Sequence, residues 1–269
     1  MYPTLFRFAG FGVPTHAFFV LAGVAAALLV FRRESRLRGE ASPAMWTIAA
    51  GALIGGALLA KASTTWRFVA EGGEATITAI LLHGGKSVVG GLAGAYAGAV
   101  ITKRLIGYRR KTGDVFAPAV ALGIATGRIG CFLTEQIGTP TSLPWGFVPP
   151  ADVAAGIPYC PQCTTGVPLH PSFLYEIAFC LLMYALLTWM RDRIPVPGES
   201  FKVFLLGYGI FRFAVEFVRG NEVMALGLTG TQLFLAATLP ILLGYFVRQL
   251  RSGAYRTTAA ASTPIGSAP

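Results

Sequence analysis

The chain has 269 residues, 54% of them hydrophobic and 13% charged, with a net charge of +10 at neutral pH and a mean hydropathy of +0.61. A soluble domain carries roughly a quarter charged residues, so one water-facing fold around a single core is excluded. The basic excess lies in short loops without interleaved aromatics, which argues against nucleic acid as a partner and for anionic membrane lipid.

Apolar runs of about 20 residues read as bilayer-crossing helices, because hydrocarbon offers no partner to an unpaired backbone group. Seven such spans are predicted, at 13–31, 44–62, 75–101, 115–134, 171–190, 201–218 and 231–247. The third is long and Gly-rich, and the seventh contains Pro240. Arg32, Arg33, Arg36 and Arg38 follow the first span, and Lys103, Arg104, Arg109, Arg110 and Lys111 follow the third. Arg191 and Arg193 follow the fifth, and Arg248, Arg251 and Arg256 follow the seventh. The alternate loops are poor in Lys and Arg, so the positive-inside rule places the N-terminus outside and the C-terminus in the cytoplasm. The expectation is an all-α integral membrane bundle of about seven helices. It forms one polytopic domain over 1–250, with an outer-face loop at about 135–170 and a disordered cytoplasmic tail at 251–269. The first apolar run lacks a basic n-region and is expected to stay as a span. Gly51 and Gly55, and the ladder Gly90, Gly94, Gly98, are expected to let helix backbones approach closely.

Ionisable side chains at membrane depth each cost roughly 2.5–3.5 kcal/mol on insertion scales, so three polar clusters carry the functional reading. In Gly127-Arg128-Ile129-Gly130-Cys131 the guanidinium of Arg128 can hold a phosphate by two parallel hydrogen bonds, or else snorkel to the headgroups. In His170-Pro171-Ser172-Phe173-Leu174-Tyr175-Glu176 the proline suits a helix first turn. His170 then stands at the cap as a base, an anion ligand or a plain capping residue, and Glu176 falls inside the span. In the third, Tyr208, Arg212, Glu216 and Arg219 recur at three- and four-residue spacing and share one helix face. Arg212 and Glu216 can neutralise each other there, which leaves Arg128 and Arg219 unpaired and available to an anionic headgroup. Cys160 and Cys163 lie in the predicted outer loop, where a local disulfide is the ordinary outcome; a zinc site there lacks ligands beyond His170. Thiol exchange with Cys131 is a further possibility, and Cys180 reads as apolar filler.

Together the clusters resemble the phosphatidylglycerol–prolipoprotein diacylglyceryl transferase family, along most of the membrane portion. The resemblance is carried by Gly127-Arg128-Ile129-Gly130 followed by Phe132, Glu135 and Gly138, and by His170-Pro171-Ser172 with Leu174-Tyr175-Glu176. Tyr208-Gly209, Phe211-Arg212, Val215-Glu216-Phe217 and Arg219 complete it, in the same order and spacing. It implies a seven-helix protein of the bacterial cytoplasmic membrane that binds phosphatidylglycerol, with the lipobox region of a prolipoprotein signal peptide as second partner and no cofactor or metal. The precursor's cysteine thiol attacks the lipid's glyceryl carbon, glycerol phosphate leaves, and a diacylglyceryl thioether forms. On that reading Arg128 and Arg212 hold the departing phosphodiester, Glu216 orients Arg212, and Tyr208 donates to the headgroup. Arg219, Cys131, Gly138, Tyr175 and Glu176 line the substrate site.

Three positions depart from the family pattern. Alignment on Ser87, Gly90 and Gly91 puts Val89 where a histidine is expected, while His83-Gly84-Gly85 stands six residues earlier. Cys131 replaces an asparagine and His16 a tyrosine. Because the thiolate is the nucleophile, a proton acceptor is required, and His16, His170 and Glu135 are the candidates. A relative that binds anionic phospholipid but modifies another acceptor, or none, stays open beside the transferase. So does a transporter, which needs a polar path across the whole bilayer.

Overall fold

The computed structural model describes residues 2–8, 11–70, 87–135, 138–151, 162–193 and 196–255, together with 72, 74, 76 and 78. The apolar runs fold as helices, which satisfy their backbone groups internally, and they group into two compact units, one built on residues up to Phe31 and from Lys111 onward, the other on Arg32–Arg110.

In the first unit, strands β1 (Thr4–Phe8) and β2 (Phe11–Pro14) pair antiparallel, Phe6 opposite Val13 and Phe8 opposite Phe11. Helix α1 (Thr15–Leu37) follows and continues into the second unit. The first span was expected to begin at 13, but Val13 belongs to the hairpin; a run this apolar hides a short strand from periodicity. The second unit adds α2 (Pro43–Ala70) and α3 (Val88–Leu105). The Ser87 side chain caps α3 by accepting from the Gly90 N–H at 3.0 Å. Helix α3 therefore starts at Val88; the predicted third span was expected from 75, and most of 75–86, including His83, lies outside the described residues. The glycine ladder packs as expected: a Cβ on Gly55 would strike the Gly94 carbonyl, and one on Gly98 the Gly51 carbonyl, so α2 and α3 touch backbone to backbone.

The rest of the first unit is α4 (Gly113–Thr134), α5 (Ser172–Trp189) and α6 (Glu199–Val215), the last ending in a 3-10 turn at Glu216–Val218. A small hairpin, β3 (Val223–Ala225) with β4 (Leu228–Thr229), leads into α7 (Gly230–Arg251). By length and composition α1, α2, α4, α5 and α7 are sufficient to cross a membrane. The inward face of α4 is small, with Ala117, Ala119, Ala121 and Ala125 buried, and it packs against α5 and α6, which supply Phe173, Met183, Phe204 and Tyr208. Glycines set the approach of α1 to α4: a Cβ on Gly23 would lie 2.6 Å from the Gly123 carbonyl oxygen, and one on Gly130 2.9 Å from Phe19 Cβ. Asp114 accepts from the Ser200 N–H at 2.9 Å and from Gly198 N–H, tying the start of α4 to the start of α6. Tyr255, expected in the loose tail, donates to Glu199 at 3.0 Å; residues 256–269 lie outside the described residues.

Candidate functional site

Helix α4 turns Arg128, α5 turns Glu176, and α6 turns Tyr208 and Arg212 toward a common interior, and the 3-10 turn after α6 and its cap add Glu216 and Arg219. Arg128 Nε lies 3.0 Å from Glu176 Oε2, and Arg219 reaches the same oxygen at 3.5 Å. Arg212 pairs with Glu216 one helical turn on, and Arg219 Nε stands 3.8 Å from Glu216. Arg128, Glu176, Arg212 and Glu216 are all buried. Three guanidiniums thus face two carboxylates, one positive charge in excess. The carboxylates are also held by neutral donors: Tyr208 donates its hydroxyl to Glu176, while Asn221 and Thr229 donate to Glu216 Oε1 at 2.7 and 3.0 Å. The guanidiniums keep N–H groups to spare; Arg212 Nε is buried and makes no hydrogen bond among the described residues. A buried donor in that state marks a place where a ligand would be welcome.

Two expectations change. Arg128 and Arg219 are not left over by the Arg212–Glu216 pair, because Glu176 takes both. Tyr208 was assigned to the headgroup, but its proton goes to Glu176. The pairings run between helices, which spacing within one helix cannot reveal.

A second group adjoins the first through Arg128. Its Nη1 lies 3.5 Å from Cys131 Sγ, which is 3.6 Å from His16 Nε2, and that nitrogen is 3.0 Å from Glu135 Oε1. Two of the three departures, His16 and Cys131, are therefore neighbours in space. The third, Val89, is in the first turn of α3 in the other unit.

His170 packs against the Tyr175 ring at the start of α5. Its Nδ1 meets the Tyr175 hydroxyl at 3.2 Å, and that hydroxyl accepts from Trp145 Nε1 at 2.8 Å. Gly138 acts by size: a Cβ there would strike the His170 carbonyl and lie 2.6 Å from the Val218 carbonyl oxygen. The neighbouring Thr139 completes that junction, its N–H donating to Val218 O and its carbonyl accepting from His170 N–H, each at 2.9 Å. Cys163 is disulfide-bonded, and its partner and Cys160 lie outside the described residues. Cys131 and Cys180 are free thiols.

Four contributing residues give no functional signal of their own in the sequence. The Phe173 ring lies 5.3 Å from the Arg128 guanidinium and 4.6 Å from that of Arg219, close enough for both cations to be attracted to its face. Its position inside a quoted motif was the available signal. Thr229 and Gln232 form a capping box at the start of α7, a pattern readable as Thr-x-x-Gln, though nothing local reveals the bond to Glu216. Asn221 carried no signal.

At the other end of α6, before its apolar run, Glu199 is buried and receives Lys202 at 2.7 Å, Tyr255 at 3.0 Å and the Tyr245 hydroxyl. Burial pushes this carboxyl up, but the hydrogen bonds from Lys202, Tyr245 and Tyr255 outweigh it and hold the group below its ordinary value.

Comparison with known proteins agrees with these motifs. The sequence model of the prolipoprotein diacylglyceryl transferase family matches residues 3–248. The phosphatidylglycerol–prolipoprotein diacylglyceryl transferase of Methylococcus capsulatus is 32% identical over 234 residues, covering 82% of this chain and 83% of the relative. Those of Bordetella parapertussis and Bordetella avium are 36% and 35% identical over 146 and 173 residues, covering 52% and 63% of this chain. The matched stretch spans half the length of the Bordetella parapertussis protein and 61% of the Bordetella avium one. With a family match over nearly its whole length and apolar helices to match, the chain is an integral membrane protein that belongs to the prolipoprotein diacylglyceryl transferase family.

Proposed function

We propose that this protein transfers the diacylglyceryl group of phosphatidylglycerol to the cysteine thiol of a prolipoprotein. The observation that carries the reading is the Arg128–Arg212–Arg219 cluster, with Arg128 and Arg212 buried and one positive charge in excess of Glu176 and Glu216. A buried cationic excess is stabilised by an anion, and a phosphodiester that becomes a phosphomonoester as it leaves gains charge there. The sulfur attacks the glyceryl carbon bonded to the phosphate oxygen, a carbon–sulfur bond forms, and the carbon–oxygen bond breaks. Glycerol phosphate departs with the electron pair, held by the guanidiniums, and the thiol proton is lost beforehand. Arg128 and Arg212 hold the phosphate, Glu216 orients Arg212, Arg219 completes the anion site, and Glu176 with Tyr208 fixes Arg128. The thiol approaches from the His16–Cys131–Glu135 side, because Arg128 touches both groups. Gly138, Tyr175 and His170 shape the adjoining wall, where Trp145 holds Tyr175.

The second substrate is the lipobox segment of the signal peptide, and the setting is the bacterial inner membrane. We read α3 and the apolar part of α6 from Phe201 onward as the two spans that bring the count to seven, with the N-terminus outside. The basic residues after α1, α3, α5 and α7 support that orientation.

The test is incubation of the purified protein with phosphatidylglycerol and a lipobox peptide, followed by mass spectrometry for glycerol phosphate and the thioether, beside Arg212→Ala. Product from the parent, lost in the variant, is the expected result. Lipid bound in an Arg212-dependent manner without product would refute transfer and favour a headgroup-binding relative.

A further inference from the structure

His16 at the start of α1, Cys131 in the last turn of α4 and Glu135 just past it bring an imidazole nitrogen, a thiol sulfur and a carboxylate oxygen within 4.8 Å of one another. We propose that His16, Cys131 and Glu135 form a three-ligand site for a thiophilic divalent metal ion, with a fourth position open to a thiol. The alternative use of these residue types is a proton relay from thiol through imidazole to carboxylate, and the geometry disfavours it. A relay uses one ring nitrogen for each neighbour, whereas here Cys131 and Glu135 both face Nε2. Three donor atoms gathered within 4.8 Å of one another are the arrangement of a ligand set.

The spacings agree with that. Tetrahedral zinc, with bonds of about 2.3 Å to sulfur and about 2.0–2.1 Å to nitrogen, holds those two ligands roughly 3.5 Å apart; Cys131 Sγ and His16 Nε2 are 3.6 Å apart. Nitrogen and oxygen ligands come to roughly 3.3 Å, against 3.0 Å between His16 and Glu135. The donor set of thiolate, imidazole and carboxylate suits zinc and its cobalt substitute. Arg128 supplies a supporting contact, an N–H aimed at the ligating sulfur, of the kind that fixes a metal ligand in place. The packing is built for it: Gly130 lets α1 approach until a Cβ there would be 3.2 Å from His16 Cα.

The open position gives the site a task, and this part rests on the transferase reading. An acceptor cysteine that binds there releases its proton to water and is held as a thiolate, next to the guanidinium that faces the phosphate. That removes the need for the histidine replaced by Val89.

The experiment titrates the metal-stripped full chain in detergent with cobalt(II). One equivalent is expected to produce thiolate-to-cobalt charge-transfer absorption and the visible bands of a four-coordinate ion. Cys131→Ser abolishes the charge transfer, His16→Ala weakens uptake by about 10-fold or more, and Cys180→Ser and Arg212→Ala keep the parent spectrum. A lipobox peptide shifts the visible bands. Charge transfer absent from the parent, or equal in Cys131→Ser, overturns the site; visible bands unmoved by the peptide overturn the open position. Because the readout is spectroscopic, metal bound without product leaves the site standing while the transferase reading fails, and product without metal does the reverse.

Discussion

Arg128 and Glu176 meet at 3.0 Å across the α4–α5 contact, and both are buried. The same Glu176 also takes Arg219 and the Tyr208 hydroxyl, so one carboxylate gathers groups from α4, α6 and the turn after it. Removing one partner of such a set leaves charges buried without compensation, which costs about 3–5 kcal/mol. Glu176→Gln is therefore expected to lower the thermal unfolding midpoint in detergent sharply and to abolish transfer. A variant with the parent's midpoint would mean that the three guanidiniums hold their places without it.

Tyr208→Phe separates the hydrogen bond from the charge. It removes one donor to a carboxylate, worth about 1.5–3 kcal/mol, and leaves both ion pairs. The midpoint should fall by less than in Glu176→Gln, with transfer reduced but measurable.

Arg128→Lys keeps the charge and loses the planar fork. If Arg128 grips the leaving phosphate through two donors, transfer should fall by about 100-fold or more. Lipid binding, followed by native mass spectrometry, should change far less. Equal loss in both would assign Arg128 to ground-state binding alone.

Gly138→Ala should act without touching charge. Its methyl has no room between the carbonyls of His170 and Val218, so the loop before α5 and the turn after α6 must separate, at about 1–3 kcal/mol. Added phosphatidylglycerol should recover part of the lost midpoint, since a ligand that binds only the folded form stabilises it.

Glu199 predicts a pH dependence away from the site. Its carboxyl is held below the ordinary value of 4.5 by burial-opposing hydrogen bonds, so the folded form binds protons less readily than the unfolded one. That contribution is complete above about pH 5 and is lost as pH falls below 4.5 toward the folded value. Midpoints measured from pH 7 to 3 should decline less steeply in Glu199→Gln than in the parent.

The helical frame was legible because apolar runs of span length admit few other structures, and Tyr208, Arg212, Glu216 and Arg219 were legible because helical spacing puts them on one face. The ion-pair map was not. Arg128 reaches Glu176 across two helices, and the local reading offered Arg212 and Glu216 as the only pair. The hairpin before α1 escaped because its strands are only five and four residues long and Phe11–Pro14 runs directly into the apolar helix. Phe173 was passed over because an aromatic in a membrane span reads as filler until two guanidiniums are seen against its ring. His16 and Cys131, placed far apart in sequence, became neighbours only through the glycines that let α1 and α4 close on each other.

The Thr229 hydroxyl does two things at once: it accepts the Gln232 N–H that begins α7 and donates to Glu216. The last helix is thereby fastened to the guanidinium cluster by a single oxygen. Any movement that unwinds the first turn of α7 takes one donor from Glu216, leaving Asn221 and two guanidiniums to hold the carboxylate that pairs with Arg212. Conversely, a headgroup that immobilises Arg212 should slow amide hydrogen exchange at Gln232. Helix α7 would then report, from outside the site, whether the site is full.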